Sequence, residues 1–233
     1  MQADVILVAA GKGKRMGAEL PKPFLSLLGA PLLVHTLRSV IKSALIRKIF
    51  LVIAPEREPL CRSILLSYKP FGIPISLVHG GIERQDSVRL GLAALDVGSE
   101  IVAIHDAARP FLDPEILDRS IVTAAEHGGA VVAIPVKDTI KSIAEDGRVI
   151  GTIPRQKLWM AQTPQTFQVP IIREAHVRAS AEKATATDDA ALVERVGGIV
   201  KVVLGSVLNF KITTPEDFQL AEMILKTEIK ASG

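Results

Sequence analysis

Short, unbroken aliphatic runs recur along this chain, and between them lie segments whose apolar residues repeat at helical spacing. The runs are Asp4 to Ala10 (DVILVAA), Lys48 to Ala54 (KIFLVIA), Ile73 to Val78 (IPISLV), Glu100 to Asp106 (EIVAIHD) and Gly129 to Val136 (GAVVAIPV). A strand with one wet face alternates polar and apolar residues. A run that stays apolar throughout is a strand buried on both faces, as in a parallel sheet covered by helices. The intervening APLLVHTLRSVIKS, REPLCRSILLSY, RQDSVRLGLAAL and DPEILDRSIVTAAEH supply the helices, the first and last with a proline where the first turn tolerates it. The pattern predicts an open α/β sheet with right-handed crossovers. With 233 residues, 48% of them hydrophobic and only 4% aromatic, the chain can bury an aliphatic core as one domain or as a domain with a small appendage.

The same composition excludes several classes of function. A net charge of +3 is too mild for a nucleic-acid binder, and the lone Trp159 and Tyr68 make no series of stacking platforms. No apolar run approaches the roughly 20 residues that span a bilayer. The single cysteine, Cys61, has no internal partner for a disulfide, and MQADVILVAA has neither the basic start nor the apolar length of a secretion signal. A soluble protein of a reducing cytoplasm is expected, with no nucleic-acid or membrane partner.

Ligands of an open α/β sheet collect at the carboxyl ends of its strands. Four polar features fall there. The first is the loop after the first run, with Gly11, Gly13 and Gly17 among Lys12, Lys14, Arg15 and Lys22. Glycines let backbone N–H groups approach an anion, and the cations neutralise several phosphate charges at once, so the loop suits a triphosphate. The dinucleotide and Walker A spacings are both absent. The second is HDAARPFL, where Asp106 ends a strand and Arg109 follows. A carboxylate there suits magnesium, which takes one or two carboxylates plus phosphate oxygens. His105 reads as a packed strand residue, since no second histidine stands at ligand spacing. The third is GGIERQDSV, where Gly81 and Ser87 are placed to read the edge of a base. The fourth is NFKITTPEDF, read as a short strand that points Lys211 inward toward an anionic partner such as substrate phosphate. Asp188 and Asp189 in TDDAALVE read as a helix start.

One insertion stands apart. TIKSIAE and RVIGTIPR flank Asp146-Gly147, a strong hairpin-turn signal. A lone hairpin is marginal in water, so Ile140, Ile143, Val149, Ile150 and Ile153 are expected to bury their face against something, either their own domain or another chain.

Taken in order, AAGKGKRMG with LPK, GGIERQDSV, HDAARPF, PVKDTIK, LWMAQTPQTF, TDDAALVE and NFKITTPEDF resemble the 2-C-methyl-D-erythritol 4-phosphate cytidylyltransferases of the non-mevalonate isoprenoid pathway. The first motif alone marks only the wider sugar nucleotidyltransferases. One departure is Pro23, where the family usually has Gln after the loop lysine. The resemblance implies a Rossmann-like, mostly parallel sheet of nucleotidyltransferase type, one domain over 1–233, with a protruding β-hairpin dimerisation arm at 137–158. It implies transfer of CMP from CTP to methylerythritol phosphate, with Mg2+, by a homodimer. In that reading Arg15 and Lys22 stabilise charge on the CTP phosphates, and Ala9, Ala10, Gly11, Gly81 and Ser87 hold the cytidine. Asp106 serves the metal and the substrate, while Arg109, Thr139, Arg155 and Lys211 position the acceptor, Thr139 and Arg155 reaching across from the partner subunit. A cytidylyltransferase for another polyol phosphate such as ribitol 5-phosphate, and a catalytically silent nucleotide-binding scaffold, are the alternatives. The silent scaffold sits poorly with Arg15, Lys22, Asp106, Arg155 and Lys211 all being present.

Overall fold

The computed structural model describes residues 1–11 and 20–231. In chain order the elements are β1 (Ala3–Val8), β2 (Ser26–Leu27), β3 (Ala30–Pro31), α1 (Leu32–Val40), β4 (Ile46–Ile53), α2 (Glu58–Tyr68), β5 (Ile75–His79), α3 (Arg84–Ala93), β6 (Ile101–Asp106), α4 (Pro114–His127), β7 (Gly129–Pro135), β8 (Ile140–Ile143), β9 (Val149–Ile153), β10 (Trp159–Gln168), α5 (Val169–Ala181), α6 (Asp189–Arg195), β11 (Lys201–Leu204) and α7 (Pro215–Ala231). Each of the aliphatic runs is a strand of a seven-stranded sheet ordered β11-β7-β10-β6-β1-β4-β5.

Both faces of that sheet are covered, and this is why the strands carry no polar alternation. On β1, Val5 and Leu7 join the cluster beneath Leu33, Leu37 and Ile121 of α1 and α4. Ile6 points the other way, to Val88, Ile172 and Val193 of α3, α5 and α6. Burying each such side chain contributes about 1.5–3 kcal/mol. Pro114 opens α4 behind Asp113, whose side chain accepts from the Glu115 N–H.

The chain runs from β1 outward through β4 to β5, then returns to lay β6 on the other side of β1. The connections leaving β1 and β6 therefore diverge, and a crevice opens between Ala9 and Asp106 at the strands' carboxyl ends.

Besides the short β2–β3 pair, two strands of the seven-stranded sheet were not expected from the sequence. β10 runs antiparallel between β6 and β7. Its Gln162, Thr163, Gln165 and Thr166 are all buried, so a real interior strand carries no apolar run. β11 extends the sheet in parallel beside β7. A correction falls on NFKITTPEDF, whose residues 210–213 form no strand and run irregularly into α7. The Asp146-Gly147 turn does join a hairpin, β8 to β9, with Gly147 at φ 84°. Its Ile143, Val149, Ile150 and Ile153 are exposed, so the apolar face finds no cover on its own chain among the described residues.

Candidate active site

Two adjoining cavities occupy the crevice. The first, ≈ 340 Å³, is bounded by Ala9, Ala10 and Gly11 after β1, the glycine turn after β5, and the start of α3. Close packing makes that turn. A Cβ on Gly80 would stand 2.6 Å from the Ala10 Cβ and 2.8 Å from the Ser87 hydroxyl, and one on Gly81 would collide with Asp86. The Gly81 N–H donates to Ser87 Oγ at 3.1 Å, and the Ser87 hydroxyl donates to the Glu83 carbonyl at 3.1 Å. Both residues expected to read a base thus lie on the cavity wall, with their polar groups already tying the turn into shape.

Lys22 borders the same cavity from a short 3-10 turn, Lys22–Phe24, anchored by buried Phe24. It is no solvated loop lysine: only 9% exposed, it donates to the Thr213 carbonyl at 2.5 Å. Arg15, with Lys12, Lys14, Gly13 and Gly17, lies outside the described residues.

Asp106 is the last residue of β6 and stands at the junction of both cavities. Its Oδ1 is 3.2 Å from Arg84 Nε, and its Oδ2 is 2.8 Å from Lys211 Nζ and 4.0 Å from Arg109 Nε. Burial pushes this carboxyl up, but Arg84, Lys211 and Arg109 outweigh burial and hold it well below the usual carboxylate range. Lys211 is corrected here too. It is 41% exposed rather than inward-pointing, and the chain itself supplies its anionic partner. Its half-exposed amine lines both cavities, where a phosphate could take the place of Asp106.

The second cavity, ≈ 280 Å³, shares Arg84, Asp106 and Lys211 with the first and adds Arg109, Thr163 and Asp188. Arg109 is held by its Nη1 donating to the Asn209 carbonyl at 2.7 Å, and its buried Nε makes no hydrogen bond among the described residues. Pairing of β10 with β7 slips between Ala161 and Gln165, and this irregularity turns Gln162 and Thr163 toward the cavity. Thr163 Oγ1 accepts from the Asp106 N–H at 3.1 Å. His105 is the packed residue expected. Its Nε2 donates to the Arg109 carbonyl at 3.1 Å, so Nδ1 faces the Thr163 hydroxyl, 3.0 Å away, as an acceptor. Burial pushes its pKa down to about 4.

The structure thus brings together Ala9, Ala10, Gly11, Lys22, Gly81, Ser87, Asp106, Arg109 and Lys211. Thr139 and Arg155 flank the β8–β9 hairpin and line neither cavity; the Arg155 guanidinium donates to the Lys137 carbonyl. Sequence reading missed Arg84, which touches both Asp106 and Asp189. The residue stood within GGIERQDSV, but nothing in that stretch says which carboxylates α3 will face.

Among the described residues no group of three His, Cys, Asp or Glu converges as a closed metal cage. The donor set fits a magnesium ion that brings phosphate oxygens with it, since the Asp106 carboxylate stands where the two cavities meet, with Asp188 on the wall of the second.

The family model described as IspD, 2-C-methyl-D-erythritol 4-phosphate cytidylyltransferase, matches residues 3–227. The chain is 49% identical over 230 residues to the enzyme of that name from Geotalea uraniireducens, covering 97% of this chain and 98% of the relative. With its Geobacter metallireducens namesake it shares 46% identity, across 98% and 100% of the two chains. The crystal structure of 4-diphosphocytidyl-2C-methyl-D-erythritol synthase from Anaerococcus prevotii superposes with TM-score 0.85 at 34% identity, over 97% of this chain and 96% of that one. The Thermus thermophilus cytidylyltransferase gives TM-score 0.78 at 33% identity, over 97% and 100%. By this match along nearly its whole length, in sequence and in fold, the chain belongs to the 2-C-methyl-D-erythritol 4-phosphate cytidylyltransferase family.

Proposed function

We propose that this protein transfers CMP from CTP to 2-C-methyl-D-erythritol 4-phosphate, releasing pyrophosphate and 4-diphosphocytidyl-2-C-methyl-D-erythritol for non-mevalonate isoprenoid precursor synthesis. The observation that carries this reading is the pair of cavities meeting at Asp106, Arg84 and Lys211, one glycine-walled and one cation-lined. Ala9, Ala10, Gly11, Gly81 and Ser87 hold the cytidine in the first. Arg15 and Lys22 neutralise charge on the triphosphate. Lys211 and Arg109 orient the acceptor phosphate in the second, aided by Thr139 and Arg155 from the arm of a partner subunit. Asp106 would hold Mg2+, which when bound supplies positive charge against the pyrophosphate that forms. The nucleophile is a phosphate monoester with a second pKa of about 6, so it is mostly dianionic at neutral pH and needs no general base. His105, the histidine adjoining Asp106, is buried, neutral and hydrogen-bonded at both nitrogens. The protein's task is electrostatic: to bring two polyanions into line and stabilise the charge that grows as pyrophosphate leaves. We place the enzyme in the cytoplasm as a homodimer, one domain per chain with the arm at 137–158.

Pyrophosphate release with CTP, UTP, ATP and GTP, each with methylerythritol phosphate, tests the base. A turn closed down to glycine leaves room for a pyrimidine, so CTP should be strongly preferred. Turnover with ATP equal to that with CTP would defeat the assignment. Running CTP against ribitol 5-phosphate tests the acceptor, and faster release with ribitol 5-phosphate would transfer the chain to that substrate.

A further inference from the structure

Arg84 is the first residue of α3 and borders both cavities. Its guanidinium lies between two carboxylates, with Nε 3.2 Å from Asp106 Oδ1 and Nη1 2.8 Å from Asp189 Oδ2. Burial works against the charged arginine, but Asp189 and Asp106 more than offset it and raise its pKa. Lys211 also reaches Asp106, yet half-exposed and on irregular backbone it can follow an arriving phosphate. Arg84 is tethered at both ends.

Asp189 lines neither cavity and is 1% exposed. It is itself fixed. Its N–H and that of Ala190 both donate to Gln165 Oε1 at 2.9 Å, and Gln165 Nε2 donates to Asp188 Oδ2 at 2.8 Å. Gln165 pairs with Ile104 across β10 and β6, so the start of α6 is pinned to the strand that lies beside the one carrying Asp106. A closed frame results: β6, β10, the start of α6 and Arg84 of α3, which begins just past the glycine turn. An arginine committed to two carboxylates has little charge left for phosphate. Its effect falls on where Asp106 points.

We infer that Arg84 is a positioning residue that couples the two chambers, held by Asp189 and in turn holding Asp106, so that the nucleotide turn and the acceptor wall keep one geometry. The inference rests on the role proposed above for Asp106. Its test uses the full-length enzyme with CTP and methylerythritol phosphate. Asp189→Asn keeps shape and removes the charge that anchors Arg84, without touching either cavity. It should lower kcat about 10- to 100-fold, as loss of an orienting partner does, and leave the calorimetric Kd for CTP within about twofold. Arg84→Gln combined with Asp189→Asn should be no slower than Arg84→Gln alone, because Asp189 reaches the cavities only through Arg84, its other close partner being the buried His176, 3.4 Å away and lining neither cavity. Arg84→Lys keeps a charge but lacks the planar fork that spans two carboxylates, and it should not restore turnover. Wild-type kcat in folded Asp189→Asn, or losses that multiply in the double variant, overturns the inference. If Asp189→Asn fails to fold, Arg84→Lys decides alone. Full kcat there overturns the proposal, and a loss of about 10-fold or more with unchanged CTP affinity upholds it. Asp106→Asn serves as control, and if that variant keeps wild-type turnover the role of Asp106 falls and this inference falls with it.

Discussion

The Lys22 amine illustrates how much a single side chain can be asked to do. Because it is buried and donates to Thr213, Lys22→Ala removes both a cation facing the first cavity and a tie to the segment before α7. If Lys22 acts on charge that develops only in the transition state, kcat should fall about 100-fold or more with KM changed far less. Leaving the Thr213 carbonyl unpaired should also cost about 1 kcal/mol, a loss of about 2–4 °C in Tm. Steady-state kinetics and a thermal melt read the two effects separately, and normal kcat with weaker CTP binding would make Lys22 a binding residue only. His105 carries a prediction about pH. Its folded pKa of about 4 lies below the ordinary value of about 6.5. Between those values the unfolded chain binds a proton that the folded one refuses. This stability is fully present above about 6.5 and drains away as pH falls toward 4, by up to about 1.4 kcal/mol per pH unit. Urea midpoints of wild type and His105→Asn across that range check it, and equal pH slopes in the two proteins would refute it.

At the scale of elements, what the sequence disclosed and what it hid divide along physical lines. β1, β4, β6 and β7 were legible because strands buried on both faces by helices carry unbroken aliphatic runs, β5 because its half-buried edge position keeps a shorter run, and the helices between them were legible by their spacing. β10 was hidden by the same logic. Its interior positions are filled by Gln162, Thr163, Gln165 and Thr166, polar groups that hydrogen-bond to Asn209, His105, Asp188 and Ser120 instead of packing as apolar side chains. No period in hydrophobicity marks such a strand, and three of those residues, Gln162, Thr163 and Gln165, line the second cavity. The same holds within the site. Asp106 and Lys211 could be named from residue type and place, but their mutual ion pair, and the bridge by Arg84 to Asp189, depend on long-range neighbours that only the assembled sheet brings together.

For the whole molecule the open question is how many chains complete one site. The hairpin residue Ile150 is 67% exposed, its neighbours Ile143, Val149 and Ile153 are open too, and so are Trp159 and Met160 at the start of β10, and clustered exposed apolar residues mark an interaction surface. With Thr139 and Arg155 at the base of that hairpin and in neither cavity, the expected arrangement is a dimer whose arms cross. Lys22→Ala and Arg155→Ala, each inactive alone, should regain activity when unfolded together and refolded as a mixture. One site of each mixed dimer then carries both lesions and the other none, so random pairing returns about a quarter of wild-type activity. A dead mixture with heterodimers demonstrated by mass spectrometry would assign Arg155 to its own chain. The Val136 N–H donates to the Leu158 carbonyl at 3.0 Å, just where β7 leaves the sheet and β10 enters it. The two ends of the segment that carries the β8–β9 hairpin are therefore one hydrogen bond apart, and the sheet is continuous without it. Closure entropy grows only with the logarithm of loop length, so such a segment can lengthen, shorten or change its residues over generations at little expense to the fold. Lineages can rewrite whatever the arm touches while the strand bearing Asp106 stays as it is, and the choice of partner becomes a trait that mutates apart from the chemistry.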